Sequence, residues 1–276
     1  MKQRVISGAV LVVIALAVIL AGSGVLAAAL LIVSCIAFGE LCRAAGVHTN
    51  GKKANGLELA GYAGIAVYYM LLYFGQGRLS NLHEFLALCI LVCLMVMMAV
   101  YVLTFPKYKA TQVMAGVFSL IYAPVMLSFI YLTRSLPYGI YFVWMIFISS
   151  WICDTCAYFT GVTLGRHKLT PVLSPKKSIE GAIGGIAGSA VVGAVFAYFV
   201  AETQITDLKV TGIFAVVSAV GAVISQIGDL AASGIKRDHG IKDYGRLIPG
   251  HGGIMDRFDS VIFTAPMIYL LLILLV

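Results

Sequence analysis

Apolar residues gather in nine long blocks, at about 5–21, 24–42, 57–75, 84–104, 112–132, 139–160, 181–201, 211–231 and 258–276. Each meets or approaches the roughly 20 residues that a helix needs to cross a hydrocarbon layer about 30 Å thick. The pattern predicts an all-α integral membrane protein of about nine transmembrane helices. Lys2 and Arg4 before the first block give it the start of a signal peptide, but no small-residue cleavage site opens a soluble domain behind it, so it reads as a retained span. With 61% hydrophobic and 11% charged residues, the 276-residue chain excludes a soluble fold of this length. Linkers, low-complexity tracts and convincing internal repeats are missing from the sequence.

Charge then orients the spans. If the N-terminus is cytoplasmic, nine crossings leave Arg78, Arg134 and Lys209 outside and the other 16 of the 19 Lys and Arg residues inside. That is a strong positive-inside bias, and adding or removing one span scrambles it. The C-terminus is therefore expected outside, and the protein in the inner (cytoplasmic) membrane. The net charge of +7 follows from the inner loops, so it points to anionic headgroups or phosphates and requires no nucleic acid.

Polar residues separate the two halves. Away from their ends, the first five blocks are almost free of charged residues, apart from Glu40 near the inner end of the second; the last four hold Asp154, Ser225, Gln226, Asp229, Asp256 and Asp259. An ionisable group at membrane depth is costly unless it faces a partner or a cavity, and so marks a candidate site. Residues 1–135 are thus expected to form a scaffold, with possible contacts for a homodimer, and 136–276 a catalytic region open to the cytoplasmic face. Asp154 is placed roughly 8 Å short of the inner face, Asp229 near the inner end of the eighth block, and Asp256 and Asp259 one turn apart at the start of the ninth. Three helices so bring carboxylates to one depth. Asp229 and Asp256 suit a shared divalent metal, with Asp259 and Asp154 as further ligands or orienting groups. The plain alternative is that each acid pairs with a nearby Lys or Arg.

The densest charge lies in Ser233–Ser260, SGIKRDHGIKDYGRLIPGHGGIMDRFDS, where Lys236, Arg237, Asp238, Lys242, Asp243, Arg246, Asp256, Arg257 and Asp259 crowd with His239 and His251. Bases among carboxylates and Gly-rich turns are what a phosphate-rich, Mg²⁺-bound ligand needs; a positive-inside loop is the plainer reading. Ahead of the seventh block, Lys176, Lys177 and Ser178 combine point charges with the free N–H groups of a helix start. Ser178 with Gly181 suits a cap, and Ser174 the turn before Pro175. Gly181, Gly185, Ser189 and Gly193 recur every four residues, a stripe for close helix packing. Cys153 and Cys156 have the spacing of a redox or zinc pair but lie inside an apolar block without a second pair, and Cys89 and Cys93 read as packing residues.

Several stretches together resemble the phosphatidate cytidylyltransferases, also called CDP-diacylglycerol synthases, in their bacterial form. They are Ser233-Gly-Ile-Lys-Arg237, Lys242-Asp243 and Pro249-Gly-His-Gly-Gly-Ile-Met-Asp-Arg-Phe-Asp259, preceded by Asp154-Thr-Cys-Ala-Tyr-Phe-Thr-Gly161, Ser174-Pro-Lys-Lys-Ser-Ile-Glu-Gly181 and Gln226-Ile-Gly-Asp229. By motif the resemblance covers roughly 150–260, and by hydropathy the whole chain; Ser178 stands where Thr is expected, which keeps the hydroxyl. It implies that CTP and phosphatidate give CDP-diacylglycerol and pyrophosphate, that Mg²⁺ is required, with a second metal or a monovalent cation left open, and that the membrane lipids are the setting. It assigns metal to Asp229 and Asp256 and less firmly to Asp259. Lys176, Lys177, Lys236 and Arg237 would bind phosphates, Arg257 would neutralise charge or orient a carboxylate, and Gly250, Gly252 and Gly253 would let the backbone approach phosphates. His251 would hydrogen-bond an oxyanion; a base is not needed, because the lipid phosphate is already an anionic nucleophile. A CTP-dependent polyprenol or phytol kinase would share inner-face acids and bases, although the long block fits it less well. An ion-coupled transporter would need acids in the outer halves of the last four blocks, which lack them.

Overall fold

The computed structural model describes residues 2–48, 53–205, 210–248, 250 and 252–276. Among them the helical segments are α1 (Lys2–Ala21), α2 (Ser23–Ala44), α3 (Gly56–Gly75), α4 (Leu82–Leu103), α5 (Ala110–Arg134), α6 (Gly139–Leu164), α7 (Ile179–Ala201), α8 (Val210–Asp238) and α9 (Met255–Leu275). Eight of these described helices, α2 to α9, are long and apolar enough to cross a membrane. The chain is a helical, multi-pass membrane protein.

Local chemistry sets the helix limits. Asn55 caps α3: its side chain accepts from the Glu58 N–H at 3.0 Å, its own N–H donates to Glu58 Oε2 at 2.9 Å, and its Nδ2 donates to the Val47 carbonyl. Pro124 withholds an N–H inside α5, and the helix answers with a π-helical turn over Ile121–Val125. Two corrections to the sequence reading arise here. First, α8 continues past the predicted residue 231 to Asp238, so Lys236 and Arg237 sit on its last turn rather than in a loop, and Asp229 is not at its end. Basic residues favour a helix C-terminus, and 29 residues span about 44 Å, more than the hydrocarbon layer, so a turn or two must project beyond it. Second, within the all-α fold the segment ahead of α7 is a short hairpin. Strands β1 (Lys168–Thr170) and β2 (Ser174–Ser178) form an antiparallel hairpin, since Pro171 and Pro175 bar a helix there. Ser174 pairs with Thr170 in that ladder and does not hold the turn.

The chain forms two compact units. The first comprises Met1–Tyr131 with His239–Arg257, the second Leu132–Asp238 with Phe258–Val276. In the first, Phe38, Leu41, Leu57, Ile65, Leu72 and Met97 are buried between α2, α3, α4 and α5. Cys89 and Cys93 are buried there as packing residues. The other side of α4 exposes Leu88, Leu91, Val92 and Met95, a surface for lipid. In the second unit α7 packs on α6 and α8 through the predicted stripe. A Cβ on Gly185 would meet the Cys153 carbonyl and Sγ at 2.9 Å, Ser189 Oγ donates to the Ile148 carbonyl, and Gly193 faces Phe214 and Ser218.

Candidate active site

Within the second unit, Gly228 of α8 has room for hydrogen only: a Cβ there would meet Phe263 Cβ at 2.8 Å and the Asp259 carbonyl at 2.9 Å. This near-backbone contact of α8 with α9 sets Asp229 beside Asp259. Asp259 is partly buried and interacts electrostatically with Asp229, Lys236 and Asp154. Asp154 follows a π-helical turn at Ile148–Ile152 in α6, an irregularity often found at functional sites. The cation nearest Asp229 comes from the hairpin. Along β2, Pro175 and Lys176 are exposed while Lys177 is half-buried, and its Nζ pairs with Asp229 Oδ2. The plain alternative, an acid paired with a lysine, therefore describes Asp229 as it stands here.

The hairpin is fixed at both ends. Ser178 caps α7, its Oγ accepting from the Gly181 N–H at 3.1 Å, as the sequence suggests. Glu180 in the first turn accepts N–H donation from Arg166 at 3.1 Å and His167 at 3.2 Å, and lies 2.6 Å from His167 Nδ1. Gln226 is a strap, its Nε2 donating to the Ala182 carbonyl at 3.0 Å and to Cys153 Sγ at 3.4 Å. Cys153 is buried among helices, and Cys156 packs on Gly188.

In the first unit the signature block makes a tight loop. Asp256 is 6% exposed, and its Oδ2 accepts N–H donation from Tyr244 at 2.8 Å and Gly253 at 3.0 Å. The Ile248 N–H donates to the Gly252 carbonyl at 2.8 Å. Gly252 has φ +84°, and a Cβ on it would meet Asp256 Oδ2 at 2.7 Å. These glycines make room for the protein's own carboxylates, and the Gly253 N–H is spent on Asp256. Gly250, Lys242, Arg246 and Arg257 are exposed around this loop, and Arg237, in the second unit, is exposed as well. His251 lies outside the described residues. One residue was not proposed from sequence: Glu40 on α2, whose Oε2 accepts from the Met255 N–H at 2.8 Å and Oε1 from the Ile254 N–H at 3.2 Å. The signal was present as an acid inside an apolar run.

Mg²⁺ takes oxygen ligands and is commonly held by one or two carboxylates together with substrate phosphates. Asp229 and Asp259 are an all-oxygen pair of that kind, and Lys177 already shows that the spot takes a cation. Among the described residues no group of three or more His, Cys, Asp or Glu side chains is assembled to hold a metal unaided.

Comparison with known proteins adds a separate line. The sequence model described as "Cytidylyltransferase family" matches residues 2–275. The phosphatidate cytidylyltransferase of Staphylococcus saprophyticus is 30% identical over 274 residues, 99% of both chains. Those of Staphylococcus aureus strain COL and Staphylococcus haemolyticus are 43% and 42% identical over 155 and 156 residues. In these two alignments the chain spans only 57% of the relative's length.

Proposed function

The chain belongs to the cytidylyltransferase family, and from that premise we propose that it transfers the cytidylyl group of CTP to phosphatidate. A lipid phosphate oxygen attacks the α-phosphorus, the bond to the β-phosphate oxygen breaks, and pyrophosphate leaves with that oxygen. The products are CDP-diacylglycerol and pyrophosphate. No proton is removed from the nucleophile, so the protein's task is to bring two polyanions together and to stabilise charge.

The observation that carries this reading is the meeting of Lys177 with Asp229, beside Asp259 and within reach of Lys236, at a helix start preceded by a basic strand. Lys177 is placed for a phosphate oxygen, and Lys176, Lys236 and Arg237 add positive charge for the triphosphate and the lipid phosphate. Substrate-binding roles also go to Arg257, His251, Ser174, Ser178, Gly250, Gly252 and Gly253, on the strength of the resemblance. The resemblance assigns Asp229 and Asp256 to metal; in the second unit it is Asp259 that stands beside Asp229, with Asp154 assisting, and Mg²⁺ bound at that pair would neutralise charge on phosphate oxygens. Lys177 pairs with Asp229 here, and it would be free for a phosphate oxygen if a metal ion were held by that carboxylate. The N-terminus and the site face the cytoplasm across nine spans of the inner membrane, with the helices before residue 136 as scaffold, an arrangement supported by the distribution of Lys and Arg.

The experiment is direct. Purified protein in detergent, given CTP and phosphatidate, is expected to form CDP-diacylglycerol with Mg²⁺ and to stop on addition of EDTA. Undiminished turnover in EDTA would remove the metal, and the lack of product with phosphatidates of several chain lengths would remove the reaction.

A further inference from the structure

Glu40 is 1% exposed on a largely apolar helix whose last turn also carries Arg43, and this is a costly place for a carboxylate unless its oxygens are satisfied. Both are in use. Oε2 takes the N–H of Met255 and Oε1 that of Ile254, residues 215 and 214 positions away. These belong to the N–H groups that a helix start leaves without a partner, and the positive end of the helix favours an anion there. Gly245 and Gly253 stand where any Cβ would strike the Glu40 carboxylate, so the loop is shaped to admit it. On the other side of the same loop, Asp256 Oδ2 gathers the N–H groups of Tyr244 and Gly253. Tyr244, Gly253, Ile254 and Met255 are thus held by two buried carboxylates, one from within the block and one from α2.

We infer that Glu40 is a positioning residue for the transfer: it touches no substrate, but fixes the start of α9 and with it the placement of Asp256, Arg257 and the glycine loop. This rests on the function proposed above. It also gives the N-terminal helices a share in the reaction beyond scaffolding.

The test compares full-length wild type with Glu40→Gln and Glu40→Asp in detergent. Gln keeps the size but turns an NH₂ group toward backbone donors. Hydrogen exchange over 244–257 should accelerate about tenfold or more in Glu40→Gln, the weight of one charge-assisted hydrogen bond, while α4 exchanges as before. The KM for CTP or phosphatidate should rise about fivefold or more, and Glu40→Asp, which keeps the charge, should fall between. Loss of folded protein alone lowers kcat and leaves both KM values unchanged. Unaltered exchange, or faster exchange with both KM values unchanged, would overturn the inference. If Glu40→Gln does not fold, Glu40→Asp supplies the same two readouts. If wild type forms no CDP-diacylglycerol, the reaction fails by itself, and exchange over 244–257 still decides whether Glu40 holds the loop.

Discussion

At Asp229 the observed ion pair and the proposed metal role can be told apart. Its pair with Lys177 is partly open to solvent, the two side chains being 25% and 28% exposed. Such pairs contribute about 0–1 kcal/mol, too little to decide whether the protein folds. Asp229→Asn should therefore leave extraction yield and melting temperature near wild type and lower kcat about 100-fold or more, the scale of a lost charge-stabilising group. Asp256→Asn should lose as much activity and also melt lower, because its oxygen holds two buried N–H groups. Asp154→Asn and Asp259→Asn should keep part of the activity. Aggregation of Asp229→Asn would favour a structural role for that acid. Asp229 was legible because an acid at membrane depth stands out; its partner was not, because only the register of β2 decides which of two adjacent lysines turns inward. Gln226 stands out by the same rule, yet it is a strap: polarity at depth marks a partner without saying whether that partner is a ligand or a neighbouring helix.

Among the elements, the long apolar runs mapped directly onto helices, and the small-residue stripe onto a packing face. The hairpin stayed hidden, since strands of three and five residues leave no clear periodicity, and the extension of α8 stayed hidden because hydropathy ends where the charged last turns begin. Packing at the stripe has a measurable cost. In Gly185→Leu the new side chain meets the Cys153 backbone and sulfur, so thermal unfolding in detergent should show a loss of about 1–3 kcal/mol or more. Gly212→Ala, on α8 with open space around it, should be neutral or gain up to about 1 kcal/mol from helix propensity. Equal effects of the two would deny that the stripe is an interface.

At the scale of the molecule, composition alone identifies a membrane protein, and the basic residues propose its orientation. Lys242→Cys in a background without the six native cysteines should react with an impermeant thiol reagent only after the membrane is opened. Labelling of intact cells would reverse the orientation. What composition does not reach is the pairing of distant positions, such as Glu40 with Met255, which only the folded chain reveals. The reaction itself is tested most directly by following the label of CTP. With phosphatidate as acceptor, ³²P at the α-position should enter the lipid and ³²P at the γ-position should leave as pyrophosphate. Transfer of the γ-label to lipid, with the α-label left in soluble CDP, would mean a kinase and would contradict cytidylyl transfer.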